Sequence, residues 1–217
     1  MKYTVTYKDK EYEVHAHASV LLGDSPVEEY VSSYIKKGIF YETPLLTYVE
    51  ENFGLIDVAI DCGANIGNHS KFFSEVLGAE VWSFEPSEEN YRLLVRNNPM
   101  GHNYRAALGD KKGSTGLEEF PHNMGASRLV PGKSIEVMTI DQFKIKPDLI
   151  KVDVEGMEAE VLRGALKTIE KYRPILLVEH NDIQALYETS RVLKGLDYKM
   201  EVFSEKNWEL FIYTQND

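Results

Sequence analysis

The segment "AIDCGANIGNHS", residues 59–70, places an acid and two glycines at the junction of an apolar strand and a helix. Asp61 lies near the end of the predicted strand, and Gly63 and Gly67 form the turn. In open α/β folds such a turn brings backbone N–H groups of the helix N-terminus to the mouth of the sheet, where ligands bind. The segment therefore predicts a site for a nucleotide-like ligand.

The details of this turn favour one kind of nucleotide over another. Glu85 ends the next predicted strand, about 20 residues beyond the loop, where an acid accepts hydrogen bonds from ribose hydroxyls. A dinucleotide site needs G-x-G-x-x-G, but Asn65 stands between the two glycines. Asp61 would repel a pyrophosphate and attract an ammonium group. A positively charged nucleoside fits best, and S-adenosylmethionine is such a molecule.

A second group of reactive side chains follows two later strands. The segment "IKVDVEGME" places Asp153 and Glu155 two residues apart, and "LLVEHN" places Glu179 and His180 at the end of the next strand. Because parallel strands end at the same edge of a sheet, we expect these groups to face the glycine loop. Asp153 and Glu179 end apolar strands, where solvation alone does not explain a carboxylate.

Three segments in order, "DCGANIG", "FEPS" and "IKVDVEGME", resemble the motifs of FkbM-type class I methyltransferases. The resemblance covers the chain from about residue 40 to its C-terminal hairpin. It implies an α/β, Rossmann-like fold with a seven-stranded, mostly parallel sheet, an antiparallel C-terminal hairpin strand and helices on both faces. Asn65 replaces a glycine that is usual in class I methyltransferases, and asparagine tolerates positive φ.

The resemblance also implies which residues hold S-adenosylmethionine. The first motif binds the methionine part and Glu85 binds the ribose. From their own position in "RAALGD", Ala107 and Leu108 are expected to pack on the face of the adenine. Asn68 has an alternative role as a helix cap. The expected cofactor-binding residues are Asp61, Gly63, Asn65, Gly67, Asn68, Glu85, Ala107 and Leu108.

The expected catalytic residues are Asp153, Glu155, Glu179 and His180. Methyl transfer to a hydroxyl requires the acceptor to be held in line and to lose its proton. Asp153 or Glu179 would orient the acceptor or act as the base, and His180 is a second candidate base. A divalent metal held by residues such as Asp153 and Glu179 is a separate hypothesis, since a metal lowers the pKa of bound water from about 15.7 to about 7.

The surrounding elements alternate between strand and helix patterns, which predicts βαβ units and a parallel sheet. "YTVTYKDKEYEV" predicts a β-hairpin, followed by a helix from Pro26 to about Lys37, so that residues 1–40 form an N-terminal cap. Residues 41–217 form the methyltransferase domain, with a loop-rich insertion at 111–134. Three residues separate "YKMEVFS" from "WELFIYT", which requires an antiparallel hairpin.

Composition excludes several other classes of protein. A net charge of -11 argues against nucleic-acid partners, which normally leave a basic footprint. No signal peptide and no apolar run of membrane-spanning length is apparent, so we expect a cytoplasmic protein without a membrane partner. The oligomeric state is not determined by the sequence.

These observations predict an S-adenosylmethionine-dependent methyltransferase. The resemblance implies O-methylation of a hydroxyl on a sugar, a glycan or a small natural-product-like acceptor. Two alternatives remain open: an NAD-dependent oxidoreductase, and a non-catalytic nucleoside-binding protein of the same fold. The missing G-x-G-x-x-G spacing and Asp61 stand against the oxidoreductase.

Overall fold

A computed structural model describes residues 1–18, 20–22, 25–27, 29–118, 128–205 and 208–215 of the chain. The N-terminal segment forms the antiparallel strands β1 (Lys2–Tyr7) and β2 (Lys10–His15). Their two-residue turn has positive φ at Lys8 and Asp9, 43° and 63°, which matches the right-handed twist of a hairpin. The predicted hairpin is confirmed.

The helix that follows begins later than expected. Strands β3 (Val20–Leu22) and β4 (Ser25–Val27) pair before it, and helix α1 spans Tyr30–Lys36. The prediction that the helix starts at Pro26 is wrong, because proline is equally compatible with a short edge strand. Glu29 marks the true start, since its carboxylate accepts hydrogen bonds from two N–H groups of the first turn.

Strands and helices then alternate as predicted, and the intervening loops are short. The elements in order are α2 (Thr43–Asn52), β5 (Val58–Cys62), α3 (Asn68–Glu75), β6 (Glu80–Phe84), α4 (Glu88–Asn97) and β7 (His102–Tyr104). The segment "HNYRAALGD" has the pattern of one strand, but the structure divides it after Tyr104, because its second half, β8 (Ala107–Leu108), joins a different sheet.

This second sheet contains most of what is described of residues 111–134. Its strands are β8, β9 (Gly113–Glu118) and β10 (Arg128–Met138), in the order β8-β10-β9, and residues 119–127 lie outside the described residues. The register of β9 against β10 shifts between Val130 and Ile135. A Cβ on Gly132 would lie 2.7 Å from the Cα of Gly116. The glycines therefore permit close contact between two strands.

The second half of the chain resumes the α/β pattern. Its elements are a 3-10 turn (Ile140–Gln142), β11 (Leu149–Val152), α5 (Glu158–Arg163), α6 (Leu166–Tyr172), β12 (Ile175–Glu179), α7 (Ile183–Leu193), β13 (Tyr198–Glu205) and β14 (Trp208–Gln215). The segment "MEAEVLRGALKTIEKY", residues 157–172, has the apolar periodicity of a single helix, but the structure divides it at Gly164. A Cβ at Gly164 would lie 2.0 Å from the carbonyl oxygen of Gly109, so the backbone itself contacts a neighbouring loop there.

The main sheet has seven strands in the order β13-β14-β12-β11-β5-β6-β7. All its pairings are parallel except those of β14, which is antiparallel to both β12 and β13. This confirms the predicted sheet and its C-terminal hairpin. The central strands β5 and β11 are neighbours, so the residues after β5, β6, β11 and β12 converge at one edge, where open α/β sheets bind ligands.

Helices cover both faces of this sheet, as predicted. Leu149 of β11 packs in one apolar cluster with residues of α2 and α3, whereas Ile150 packs in another with residues of α5, α6 and α7. Val5 and Val14 of the N-terminal hairpin are fully buried in the first cluster, so the hairpin shares that core. Within the described ranges, no helix has the length and apolar character needed to span a membrane.

Candidate active site

A cavity of about 470 Å³ lies at the carboxyl ends of the central strands. Its size is within the range of small-molecule and cofactor sites. Its lining includes the loop after β5 and the residues after β6, β11 and β12. Eight of the residues expected from the sequence line it: Gly63, Asn65, Glu85, Ala107, Leu108, Asp153, Glu155 and Glu179.

The glycine loop is held in place by contacts on both sides. Gly63 has φ +78°, and a Cβ there would lie only 1.7 Å from the carbonyl oxygen of Asp153. Asn65 also has positive φ, +50°, as expected for a residue that replaces glycine. Gly67 caps helix α3 with φ +86°, and a Cβ there would lie 2.9 Å from a methyl carbon of Leu94. Both glycines are thus required by packing as well as by the turn.

Glu85 connects this loop to the start of helix α4. Its side chain is only 6% exposed, and its two oxygens accept hydrogen bonds from the N–H groups of Asn65 and Ser87, each 2.8 Å long. Burial raises the pKa of Glu85 to about 7, against the lowering effect of these two N–H donors. A carboxylate has about four acceptor positions, so capacity remains for hydroxyl donors from a ligand.

Asp61 lies beneath the loop rather than on the cavity wall. It is fully buried, and its Oδ2 accepts a 2.6 Å hydrogen bond from Ser70 Oγ. Its Oδ1 is buried without a hydrogen-bond partner among the residues that the structure describes. An unsatisfied buried carboxylate oxygen is costly, and a cationic donor is the group that would satisfy it best.

The side chain of Asn68 binds the backbone of Tyr41. Its side-chain amide accepts a hydrogen bond from the N–H of Tyr41, 3.0 Å, and donates one to the carbonyl oxygen of Tyr41, 3.1 Å. The alternative that Asn68 caps helix α3 is wrong, because Gly67 occupies the cap position. Asn68 instead fixes the segment that carries Tyr41 to the cavity wall.

Asp153, Glu155 and Glu179 form an acidic wall beside the glycine loop. Asp153 Oδ2 accepts a 2.8 Å hydrogen bond from Lys151 Nζ, and Glu155 accepts one of 2.9 Å from the amide of Asn181. Burial and then the nearby charge of Asp153 raise the pKa of Glu179 to about 8, and the same two causes raise the pKa of Glu155. At neutral pH Glu179 is therefore mainly protonated, and it can donate a hydrogen bond.

His180 does not reach the acidic wall. Side chains alternate along β12, so His180 points to the face opposite Glu179. Its ring packs 4.9 Å from that of Phe211, and its Nε2 lies 3.4 Å from Tyr213 Oη. Burial lowers the pKa of His180 to about 4, and it does not line the cavity.

Lys151 is a residue that the sequence analysis missed. It is 1% exposed in the middle of β11, where Asp61 occupies the paired position on β5. Burial alone would lower the pKa of Lys151, but the charges of Asp153, Asp61 and Glu42 outweigh burial and raise it. The signal in the sequence is a lysine within the apolar run "LIKV", since lysine is almost never fully buried unless it is paired.

A buried hydrogen bond between a histidine and a carboxyl group supports the same region. His69 Nε2 lies 2.9 Å from Glu42 Oε2, and both residues are buried. Burial raises the pKa of Glu42, but the hydrogen bond from His69 and the charge of Lys151 outweigh it, and the net shift is downward. Glu42 follows Tyr41, so this pair also anchors the segment at the cavity wall.

The described part of the chain contains no group of three or more His, Cys, Asp or Glu side chains arranged to hold a metal ion. The metal hypothesis for Asp153 and Glu179 therefore draws no support from this geometry.

Comparison with known proteins yields relatives of one kind. The hexuronic acid methyltransferase AglP of Haloferax volcanii is 29% identical over 187 residues, which cover 80% of this chain and 75% of AglP. The methyltransferase sdnD of Sordaria araneosa is 28% identical, with 48% of this chain and 59% of sdnD covered.

Solved structures share the fold. The methyltransferase FkbM of Methylobacillus flagellatus superposes with a TM-score of 0.58 at 23% identity, covering 77% of this chain and 47% of that one. The ribosomal protein L11 methylase of Lactobacillus delbrueckii subsp. bulgaricus has a TM-score of 0.51 at 13% identity, covering 80% and 76%. Residues 61–200 match the family described as Methyltransferase FkbM domain. The chain belongs to the FkbM methyltransferase family, and its fold is that of the Rossmann-like class I methyltransferases.

Proposed function

We propose that the protein is an S-adenosylmethionine-dependent O-methyltransferase that acts on a hydroxyl group of a sugar, a glycan or a small natural-product-like acceptor. The observation that carries the proposal is the cavity, in which the glycine loop and Glu85 lie beside the acidic wall of Asp153 and Glu179. The relative that is named a hexuronic acid methyltransferase supports a sugar as the acceptor.

The residues around the loop fit S-adenosylmethionine. The charge of Asp61, buried beneath the loop, favours a cationic amino group in the cavity above it, and the free acceptor capacity of Glu85 suits ribose hydroxyls. Ala107 and Leu108 supply an apolar surface for a base, and Gly63 leaves its side of the cavity without a side chain. When bound, the cofactor supplies an electrophilic methyl group on a sulfonium.

The acidic wall orients the acceptor. Asp153 accepts a hydrogen bond from the hydroxyl that is methylated, and Lys151 fixes the orientation of this carboxylate. Glu179, which is mainly protonated at neutral pH, donates a hydrogen bond to a second acceptor oxygen. An alcohol is a far weaker acid than a carboxyl group, so Asp153 takes up the proton late, as the new C–O bond forms.

Calorimetric titration with S-adenosylhomocysteine, run beside NAD, tests cofactor binding. We expect micromolar affinity for S-adenosylhomocysteine, no binding of NAD, and loss of affinity in Glu85→Ala. Glu80→Ala is the matched control, because Glu80 is an exposed acid at the opposite end of the same strand. A folded wild-type protein that binds NAD but not S-adenosylhomocysteine would refute the proposal.

Methyl transfer is tested separately with S-adenosylmethionine and a panel of glycosides, followed by mass spectrometry. Asp153→Asn should abolish the methylated product and leave S-adenosylhomocysteine binding intact, whereas Glu160→Gln on helix α5 should leave both unchanged. Unaltered transfer by Asp153→Asn would remove this residue from the mechanism.

A further inference from the structure

Three tyrosines form an aromatic cluster beside the acidic wall. Tyr30, Tyr34 and Tyr41, hereafter the tyrosine cluster, contact one another with ring centroids 5.3–5.5 Å apart and near-perpendicular planes. Tyr30 and Tyr41 line the cavity, and Tyr30 is 47% exposed although it is a large aromatic residue. The cluster therefore presents aromatic surface to whatever occupies this part of the cavity.

The backbone that carries the cluster is held by hydrogen bonds. The main chain of Tyr41 is fixed by two hydrogen bonds to Asn68. Tyr30 begins helix α1, whose first turn is capped by the carboxylate of Glu29, and the hydroxyls of Tyr30 and Tyr34 lie 3.4 Å apart. A preorganised aromatic surface loses little entropy on binding. The negative face of such a ring attracts C–H groups that carry partial positive charge, as those on one face of a sugar ring do.

The charge of the cavity argues against an anionic ligand. Its lining includes five acids, Glu29, Glu85, Asp153, Glu155 and Glu179, and neither lysine nor arginine among the residues that the structure describes. Carboxyl groups of this kind bind hydroxyls well, but they repel a further carboxylate at close range.

We infer that the tyrosine cluster and the acidic wall form an acceptor subsite for the ring of an uncharged sugar, with one C–H face on Tyr30 and hydroxyls on the carboxyl groups. This inference rests on the proposed function and narrows it. It distinguishes this protein from a methyltransferase that acts on a hexuronic acid, as the relative AglP is named to do.

Saturation-transfer difference NMR tests the subsite with the protein saturated by S-adenosylhomocysteine. The probes are methyl glucopyranoside, methyl galactopyranoside and methyl glucuronide. We expect saturation of ring protons in at least one neutral glycoside, and at least about fivefold weaker binding of the glucuronide. Tyr30→Ala should weaken binding of the neutral glycoside at least about fivefold, whereas Tyr30→Phe should leave this binding unchanged. The matched control is Tyr187→Ala, an exposed tyrosine on helix α7 outside the cavity lining.

Each outcome has one meaning. Equal binding by Tyr30→Ala and the wild type, or equal binding of the glucuronide and the neutral glycosides, would overturn the inference. So would the absence of any glycoside signal in a protein that binds S-adenosylhomocysteine, and in that case the proposed function would stand. If the wild type does not bind S-adenosylhomocysteine, the proposed function fails and the inference fails with it.

Discussion

Replacing Lys151 with methionine tests whether one buried cation holds the acidic side of the cavity together. Lys151 is 1% exposed and donates a 2.8 Å hydrogen bond to Asp153, while Asp61 occupies the paired position on the neighbouring strand. Methionine keeps much of the length of the side chain and removes only its charge. The substitution therefore leaves buried carboxylates without their counter-ion.

The expected loss of stability is large. Removing one partner of a buried ion pair costs about 3–5 kcal/mol, because the remaining charge stays buried without compensation. Domains unfold with a free energy of about 5–15 kcal/mol, so Lys151→Met should fold but lose a substantial share of its stability. Lys2→Met is the matched control. Lys2 pairs with Glu13 on the surface, with side chains 60% and 55% exposed, and such pairs contribute about 0–1 kcal/mol.

The loss of stability in Lys151→Met should also depend on pH. Burial raises the pKa of Glu179 to about 8, and Lys151 is one of the groups that lower it, so the variant should have a still higher Glu179 pKa in its folded state. A carboxyl group whose folded pKa exceeds its unfolded pKa stabilises the fold less as pH rises through that interval. The gap between wild type and Lys151→Met is therefore expected to be smaller at pH 5 than at pH 8.

Urea unfolding, followed by circular dichroism at pH 5 and pH 8, measures both quantities. Wild type, Lys151→Met and Lys2→Met are compared at each pH, with the slope of each transition checked for two-state behaviour. If the free energy of unfolding of Lys151→Met at pH 8 is within about 1 kcal/mol of that of the wild type, the reasoning about buried charge is wrong. A gap that is equal at both pH values would refute the predicted coupling to Glu179.

Three further predictions concern Gly63, Glu85 and Asp182. Gly63→Ala should destabilise the fold by at least about 2 kcal/mol more than Gly78→Ala in urea unfolding, because both glycines have φ +78° but only the Gly63 Cβ meets a backbone atom. Calorimetry should show that the affinity for S-adenosylhomocysteine rises about tenfold from pH 6 to pH 8. Burial raises the pKa of Glu85 to about 7, and ribose hydroxyls bind its ionised form. Glu85→Gln should abolish this pH dependence. Asp182→Ala should cost about 1 kcal/mol in thermal unfolding, because its side chain caps helix α7.

Local patterns predicted most of the elements. The alternation in residues 3–14 and the two strands around "EKN" specified the hairpins at both ends of the described chain, since strand periodicity and a short connection allow little else. The sequence did not predict the division of the helix at Gly164. That break depends on the carbonyl of Gly109, which lies far away in the sequence.

The glycine loop and the acids were also predicted, because each lies at the end of an apolar strand in a parallel sheet. Gly63, Glu85, Asp153 and Glu179 line the same cavity. Lys151 was missed because the middle of a strand gives no indication of a ligand or an ion partner, and its partners come from three separate segments of the chain.

The sequence by itself determined the order of strands and helices and the residues that end each strand, because periodicity and turn residues act over a few positions. The tertiary structure decided which of those residues meet. Glu179 and His180 are adjacent in the chain, yet only Glu179 reaches the cavity, since alternation along the strand sends their side chains to opposite faces. Tyr30 joins Glu179 at the same cavity from a helix far away in the chain, through packing that no local pattern encodes.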